Sequence, residues 1–215
     1  MNEILFFTET LLVVGFAFWA LRLGKAALTG WIAVQALIAN LFVLKQITLF
    51  GFEVTASDVF VIGSLLGLNF LQEYFSKEDA AKATWICFFF MAFFTLVSQL
   101  HLLYVPSPFD TTHAAFESIL SLSPRLLIAS MSVFLIVQQV DIRFFAFLQN
   151  SMPGTSFAVR AGISLAVSQF LDTFLFSFAG LYGVVTSVFD IILLSYFIKL
   201  IVVFCFTACV RIAKP

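Results

Sequence analysis

The stretch ISLAVSQFLDTFLFSFAGLYG, residues 163–183, decides the fold, because it is almost wholly apolar and long enough to cross a lipid bilayer. Its interior nevertheless holds Gln169, Asp172 and Thr173, at positions i, i+3 and i+4 that share one helix face. A carboxylate in a membrane helix costs at least ~2.5 kcal/mol, so it is expected to face protein or a wet cavity. The stretch therefore predicts a membrane helix that forms one wall of a polar pocket.

The composition of the whole chain points the same way. Hydrophobic residues make up 62% of the sequence and charged residues 11%, and the mean hydropathy is +1.09. These values predict an all-α, polytopic membrane helical bundle, with a single transmembrane domain over residues 1–215. The net charge of −1 gives no reason to expect a nucleic-acid partner. The apolar composition makes the lipid bilayer the expected surrounding.

The apolar segments predict seven spans, at about residues 4–21, 31–50, 59–75, 83–104, 125–147, 161–183 and 184–210. The first is predicted to be a retained helix, because no Lys or Arg precedes it and no cleavage site for a signal peptidase follows. A short helix over residues 111–120 is predicted in the long outer loop.

The loop charges predict the orientation. In a seven-span chain only Arg125 lies on one side, and the other side holds Arg22, Lys25, Lys77, Lys82, Arg143, Arg160, Arg211 and Lys214. The positive-inside rule makes that second side cytoplasmic. We therefore expect a multi-pass protein of the plasma membrane, with the N-terminus outside and the C-terminus inside.

The third span has a polar face of its own, since Asn69, Gln72 and Glu73 also recur at i, i+3 and i+4. The second span is predicted to contain Asn40 near its middle, and the seventh contains Asp190 early in its length. Polar residues at such depth mark substrate pathways in membrane proteins.

Charged residues inside the predicted spans need partners. At equal predicted depth, Lys45 of the second span faces Asp172, and Glu73 faces Lys199 of the seventh. Membrane-buried charges pair with one another or line a pathway, so these two pairs are the expected ones. They either fix the bundle as simple interhelical salt bridges or belong to a ligand site, and the surrounding Asn and Gln side chains favour a ligand site.

Two further patterns have structural interpretations. The pair Gly63-x-x-x-Gly67 is typical of close helix packing. Gln138-x-x-Asp141 in the fifth span repeats the spacing of Gln169-x-x-Asp172, which fits either a duplicated helical hairpin or chance. Because Asp141 lies close to Arg143 near the predicted cytoplasmic end, an interfacial ion pair is the expected role of this carboxylate.

Several of these elements together resemble the bacterial queuosine precursor transporter family, a branch of the vitamin-uptake-transporter-like proteins. The matching elements are Asn40-x4-Lys45, Gln72-Glu73-Tyr74 followed by Lys77, Arg160-x3-Ser164-x4-Gln169-x2-Asp172-Thr173, and Tyr196-x2-Lys199. The resemblance implies import of queuine or other 7-deazaguanine precursors of queuosine across the inner membrane, for tRNA modification. It also implies a six-helix core similar to the substrate-binding components of energy-coupling-factor transporters, preceded by one additional helix.

The chain departs from the family pattern in three places. Asn69 stands where the family commonly has Asp, Ser76 stands where it has Gly, and the last helix lacks a Pro. Losing the Asp removes a charge from the site, so we expect the departure to affect ligand specificity more than the fold.

The candidate site has the chemistry for a guanine-like ligand, since a carboxylate can accept two adjacent N–H donors and an amide or ammonium can donate to a carbonyl. No catalytic residue, metal site or cofactor is expected. The predicted substrate-binding residues are Asn40, Lys45, Asn69, Gln72, Glu73, Gln169, Asp172, Thr173, Asp190 and Lys199.

Three other classes of protein compete with a self-sufficient transporter. An intramembrane enzyme would need a nucleophile with a base, or metal ligands at usable spacing, and two histidines and three cysteines supply no such set. A substrate-binding subunit of an energy-coupling-factor transporter would co-purify with an ATPase module. A structural or assembly protein would need no ligand. The sequence leaves a homo-oligomer and an energy-coupling partner open.

Overall fold

A computed structural model describes residues 1–43, 45–121, 124–181 and 188–213. Lys214 and the side chains of Arg125 and Asp190, which entered the predictions above, lie outside the described part. The elements in chain order are α1 (Asn2–Leu23), α2 (Lys25–Phe42), β1 (Gln46–Leu49), β2 (Phe52–Thr55), α3 (Asp58–Tyr74), α4 (Lys77–Leu102), α5 (His113–Leu120), α6 (Pro124–Ser151), α7 (Phe157–Phe176), a π-helical turn (Ser177–Leu181) and α8 (Val188–Ala213).

Five helices within the described residues are long and apolar enough to cross a membrane. They are α1, α2, α4, the Ile128–Ser151 part of α6, and Phe157–Gly180. The predicted all-α polytopic membrane bundle is thus confirmed, whereas the number of seven spans stays a prediction.

The second span differs from its prediction over residues 31–50. Helix α2 ends at Phe42, and the chain then forms an antiparallel hairpin in which Leu49 pairs with Phe52. The two turn residues, Phe50 and Gly51, have φ angles of 52° and 84°, which suit a two-residue hairpin turn and would be unfavourable in a right-handed helix. Lys45 therefore precedes a strand and is exposed, so it is not buried inside a helix.

Helix α3 lies at the centre of the bundle. It contacts α1, α2, α4, α6, α7 and α8, and nearly all of its residues from Asp58 to Gln72 are buried. A helix that is buried on every side is apolar all round, which explains the continuous hydrophobic run in this segment. The few polar side chains of α3 are consequently held inside the protein.

The two glycines of α3 allow its close approach to α1 and α2. A Cβ at Gly63 would lie 2.7 Å from Val13 Cγ1, and one at Gly67 would lie 2.6 Å from Ile32 Cγ1. Both distances are shorter than the contacts that real Cβ atoms make, so a side chain at either position requires Val13 or Ile32 to shift. The Gly63-x-x-x-Gly67 pattern does mark close packing in this fold.

We expect Gly67→Leu to destabilise the protein by at least ~1 to 3 kcal/mol, the usual cost of overpacking a core. Thermal unfolding in detergent should show the loss as a lower Tm. Gly30→Leu on α2 is the matched control, because a Cβ at Gly30 meets nothing within 4 Å. Equal Tm values for the two variants would contradict the close packing of α2 and α3.

Candidate functional site

A cluster of buried charge lies at the end of α3 where α7 begins. Arg160, in the first turn of α7, donates from Nη2 to Glu73 Oε1 and from Nη1 to the Thr155 carbonyl at 2.7 Å. Gln149 near the end of α6 donates to the second Glu73 oxygen at 2.9 Å. We call Glu73, Gln149 and Arg160 the Glu73 cluster.

Aromatic packing fixes this end of the bundle. Phe157, the first residue of α7, stacks on Phe70 of α3 with ring centroids 5.1 Å apart, and contacts Phe145 of α6 edge-on at 6.0 Å. The end of α3, the end of α6 and the start of α7 therefore meet at one level. It follows that α3 and α6 run in the same direction and α7 runs in the opposite direction.

A second charged cluster lies at the other end of α3. Lys199 of α8 places its Nζ 2.8 Å from Asp172 Oδ2 and 3.8 Å from Asp58 Oδ1. Asp58 is the first residue of α3, and Thr55 Oγ1 at the end of β2 donates to it at 3.4 Å. We call Asp58, Asp172 and Lys199 the Lys199 cluster. It lies roughly 22 Å from the Glu73 cluster along α3, at ~1.5 Å per residue.

Between the two clusters lies a layer of uncharged and acidic side chains. Ser164 and Ser168 of α7 donate their hydroxyls to Asp141 Oδ1 of α6, at 2.7 and 2.6 Å. Gln72 of α3 donates to the carbonyl of Ile142, the residue after Asp141, at 2.9 Å. These three hydrogen bonds hold α3, α6 and α7 together at one level.

The same three helices, α3, α6 and α7, also contain buried polar side chains that have no hydrogen-bond partner among the described residues. Both polar atoms of Asn69, Gln138 and Gln169 are unpartnered, although these residues are at most 1% exposed. Asn69 and Gln138 lie about one turn from Gln72 and Asp141, and Gln169 directly follows Ser168. Further unpartnered atoms are Gln72 Oε1, Asp141 Oδ2 and Thr173 Oγ1. We call this set of side chains the amide layer.

An amide layer of this kind is costly in a folded protein. A buried donor or acceptor that lacks a partner costs ~1 to 3 kcal/mol, and nearly all such groups in proteins are paired. In a membrane helix, polar residues that face the bundle interior mark a ligand or ion pathway. The arrangement can therefore bind a molecule with several donors and acceptors of its own.

The structure brings some of the predicted site residues together and separates others. Asn69, Gln72, Gln169 and Thr173 belong to the amide layer, and Glu73, Asp172 and Lys199 belong to the charged clusters on either side. Asn40 lies apart, with its amide satisfied by Ser130 Oγ at 2.9 Å and the Ala36 carbonyl at 3.0 Å, and it lines a small pocket between α2, α4 and α5. Lys45 is exposed at the hairpin, and the side chain of Asp190 is outside the described part.

The two predicted ion pairs are wrong. Asp172 pairs with Lys199 and not with Lys45, because residue 45 lies beyond the end of α2. Glu73 pairs with Arg160 and not with Lys199. The predicted start of the seventh span at residue 184 lies outside the described residues, and the described part of α8 runs from Val188 to Ala213.

Sequence reasoning missed the roles of Asp141 and Arg160. The predicted ion pair of Asp141 with Arg143 is not formed, because α6 continues to Ser151 and Asp141 lies well inside it, fully buried. Arg160 was assigned to a loop, but α7 begins at Phe157 and buries this guanidinium in its first turn. The matching spacing of Gln138-x-x-Asp141 and Gln169-x-x-Asp172 was the one available signal for Asp141.

Comparisons with known proteins agree with a membrane transport role. The family described as "Putative vitamin uptake transporter" matches residues 55–213. A protein of Bacillus subtilis (strain 168) named "Probable queuosine precursor transporter" is 32% identical over 162 residues, which cover 75% of this chain and 71% of that protein. No solved structure matches the chain.

Proposed function

The chain belongs to the vitamin uptake transporter family, and on that premise we propose that it imports a queuosine precursor, a 7-deazaguanine derivative, across the bacterial inner membrane. The resemblance found in the sequence is confirmed, and the protein is a membrane transporter and not an enzyme. The precursor itself, and the membrane in which the protein acts, are part of the proposal.

The amide layer is the observation that carries the proposal. A 7-deazaguanine presents N–H donors and a carbonyl acceptor around a flat ring, and Asn and Gln side chains supply both kinds of partner. The layer lies between the ends of α3, in keeping with transporters, which bind their substrates near the middle of the membrane between helices. An apolar or singly charged ligand would leave most of these amide atoms without partners.

The two charged clusters fit a pathway that opens to one side at a time. The Lys199 cluster lies on the outer side of the amide layer in the predicted orientation, and the Glu73 cluster lies on the cytoplasmic side. Each cluster joins α3 to other helices through charge-assisted bonds, the strongest kind available to side chains. Breaking one cluster while keeping the other would expose the amide layer to one side.

Uptake by cells tests the proposal. In a strain unable to make or import queuosine precursors, expression of this chain should restore queuosine in tRNA when a 7-deazaguanine precursor is supplied. The vector without the gene is the control. Absence of queuosine from cells with abundant membrane-inserted protein would contradict the proposed substrate.

Purified protein in proteoliposomes then separates transport by this chain alone from transport as a subunit. Uptake of the labelled precursor without another protein is the expected result. Binding without uptake, together with co-purification of an ATPase module from native membranes, would instead identify a substrate-binding subunit of an energy-coupling-factor transporter.

The proposed orientation has a test of its own. In a variant with Cys87, Cys205 and Cys209 replaced by Ala, we expect Lys77→Cys to react with a membrane-impermeant maleimide only after the cells are permeabilised. Asp110→Cys, in the exposed loop after α4, should react in intact cells. The opposite labelling pattern would place the N-terminus in the cytoplasm.

A further inference from the structure

Asp141 is a buried carboxylate to which the described residues supply no cation. It is fully buried, and its Oδ1 accepts hydrogen bonds from the hydroxyls of Ser164 and Ser168. Its Oδ2 has no hydrogen-bond partner among the described residues. The carboxylates of the two charged clusters, by contrast, face Arg160 or Lys199. Asp141 therefore has an acceptor oxygen available and no ion pair to break.

The neighbours of Asp141 also lack partners. Gln138 lies one turn before it on α6, and Asn69 and Gln169 lie on α3 and α7, the two helices that are hydrogen-bonded to α6 beside Asp141. Every side-chain polar atom of these three amides is unpartnered among the described residues, and all three residues are more than nine-tenths buried. Such a set requires an occupant that presents at least two donors to the carboxylate and an acceptor to the amides.

We propose that Asp141 is the specificity-determining carboxylate of this site, and that its Oδ2 accepts the ring N–H and the exocyclic amino group of a 2-amino-4-oxopyrimidine edge. This inference rests on the proposed function, because a 7-deazaguanine carries that edge. An ionised carboxylate oxygen has two acceptor positions, and the serines occupy those of Oδ1 only. Side-chain amides of the layer donate to the ring carbonyl.

The serines position the carboxylate for this task. Two short hydroxyl bonds hold Oδ1 in place and leave Oδ2 without a partner among the described residues. Asp172, the carboxylate that the sequence favoured, already has a counter-charge in Lys199 at 2.8 Å, whereas Asp141 has none among the described residues. The ligand's amino group is therefore assigned to Asp141.

The test compares two competitors of labelled 7-deazaguanine uptake in proteoliposomes of the full chain. Unlabelled 7-deazaguanine carries the exocyclic amino group, and 7-deazahypoxanthine differs only in lacking it. In the wild type we expect 7-deazahypoxanthine to compete about ten-fold more weakly or worse, because the charged Oδ2 keeps the ring N–H but loses the second of its two donors. Asp141→Asn should bring this ratio close to one, since the amide nitrogen replaces Oδ2 as the group facing the ligand.

Two controls separate recognition from a structural role. Asp110→Asn changes an exposed loop carboxylate and should keep the wild-type ratio. Asp172→Asn should also keep the wild-type ratio of the two competitors, whatever its effect on the rate of uptake. If Asp141→Asn protein does not accumulate, Ser168→Ala replaces it, and freeing the carboxylate from one of its two donors should reduce the ratio.

Each other outcome overturns the inference. Equal competition by both compounds in the wild type would show that no acceptor of the protein forms a hydrogen bond with the amino group. If the ratio of the two competitors is unchanged in Asp141→Asn, or in Ser168→Ala where that variant is needed, Asp141 has a structural role only. If the ratio falls to one in Asp172→Asn alone, Asp172 is the residue that recognises the amino group. Wild-type protein that takes up no labelled 7-deazaguanine would instead refute the proposed function, a result visible before any variant is made.

Discussion

Replacing Lys199 by methionine is expected to cost ~3 to 5 kcal/mol of stability and to abolish uptake, because it leaves two buried carboxylates without a counter-charge. The Lys199 ammonium is 8% exposed and lies within 4 Å of both Asp172 and Asp58. Without it, two like charges face each other inside the bundle. The measurement is the amount of folded protein in the membrane, with the Tm in detergent.

The matched control for this prediction is Lys25→Met. Lys25 also pairs with a carboxylate, that of Asp79 at 3.2 Å, but the lysine side chain is 61% exposed and water screens the pair. Its loss should leave the Tm nearly unchanged. If both lysine variants lower the Tm by the same amount, burial does not explain the contribution of the Lys199 cluster to stability.

A neutralised cluster extends the test. In the triple variant Lys199→Met, Asp58→Asn, Asp172→Asn, no charge remains in the cluster, and folded protein should reappear because an uncharged replacement for a buried ion pair is often tolerated. Uptake that returns with the fold would make the cluster a scaffold. Folded protein without uptake would assign the cluster to the transport cycle.

Helix positions and the overall class were predictable from the sequence because they depend on long apolar runs. An apolar run of sufficient length forms a helix in the bilayer whatever its neighbours are. The points where helices end, such as Gly24 between α1 and α2 or Ser76 before α4, depend on nearby residues only. Ser76 accepts a hydrogen bond from the Asp79 N–H at 3.0 Å and so caps the start of α4.

The partners of the buried charges were not predictable, because depth along a helix depends on where that helix begins. An error of four residues moves a side chain by ~6 Å, about one full turn. An error of this size explains why Arg160 is predicted in a loop and Asp141 at an interface, whereas α7 begins at Phe157 and α6 continues to Ser151. The sequence did not predict the hairpin after α2, because the first of its two four-residue strands, QITL, was included in the second span; both strands alternate polar and apolar residues.

The amide layer was predictable only in part. Asn69, Gln72 and Gln169 were identified because polar residues are conspicuous in apolar helices. Their convergence with Asp141 depends on the parallel course of α3 and α6, which no spacing within one helix reveals. The residue proposed to recognise the ligand is thus one whose sequence context predicted an interfacial ion pair.

The second large effect is expected for Arg160→Met, which should also cost ~3 to 5 kcal/mol. This guanidinium is 9% exposed, and it bonds Glu73 together with the Thr155 carbonyl in the turn between α6 and α7. Methionine would leave the carboxylate with Gln149 as its remaining side-chain donor. The Tm in detergent measures the loss, and Arg22→Met, at an exposed position near the end of α1, is the matched control.

A double-mutant cycle with Glu73→Gln isolates the ion pair from the other contacts of Arg160. In the Glu73→Gln background no buried charge is left behind, so Arg160→Met should be milder there by ~1 to 3 kcal/mol. Arg160→Lys should fall between the wild type and Arg160→Met, because one ammonium cannot match the fork that reaches both a carboxylate and a carbonyl. A coupling energy near zero would mean that Arg160 stabilises the protein through the Thr155 carbonyl and not through Glu73. In that case the Glu73 cluster does not hold this end of the bundle closed.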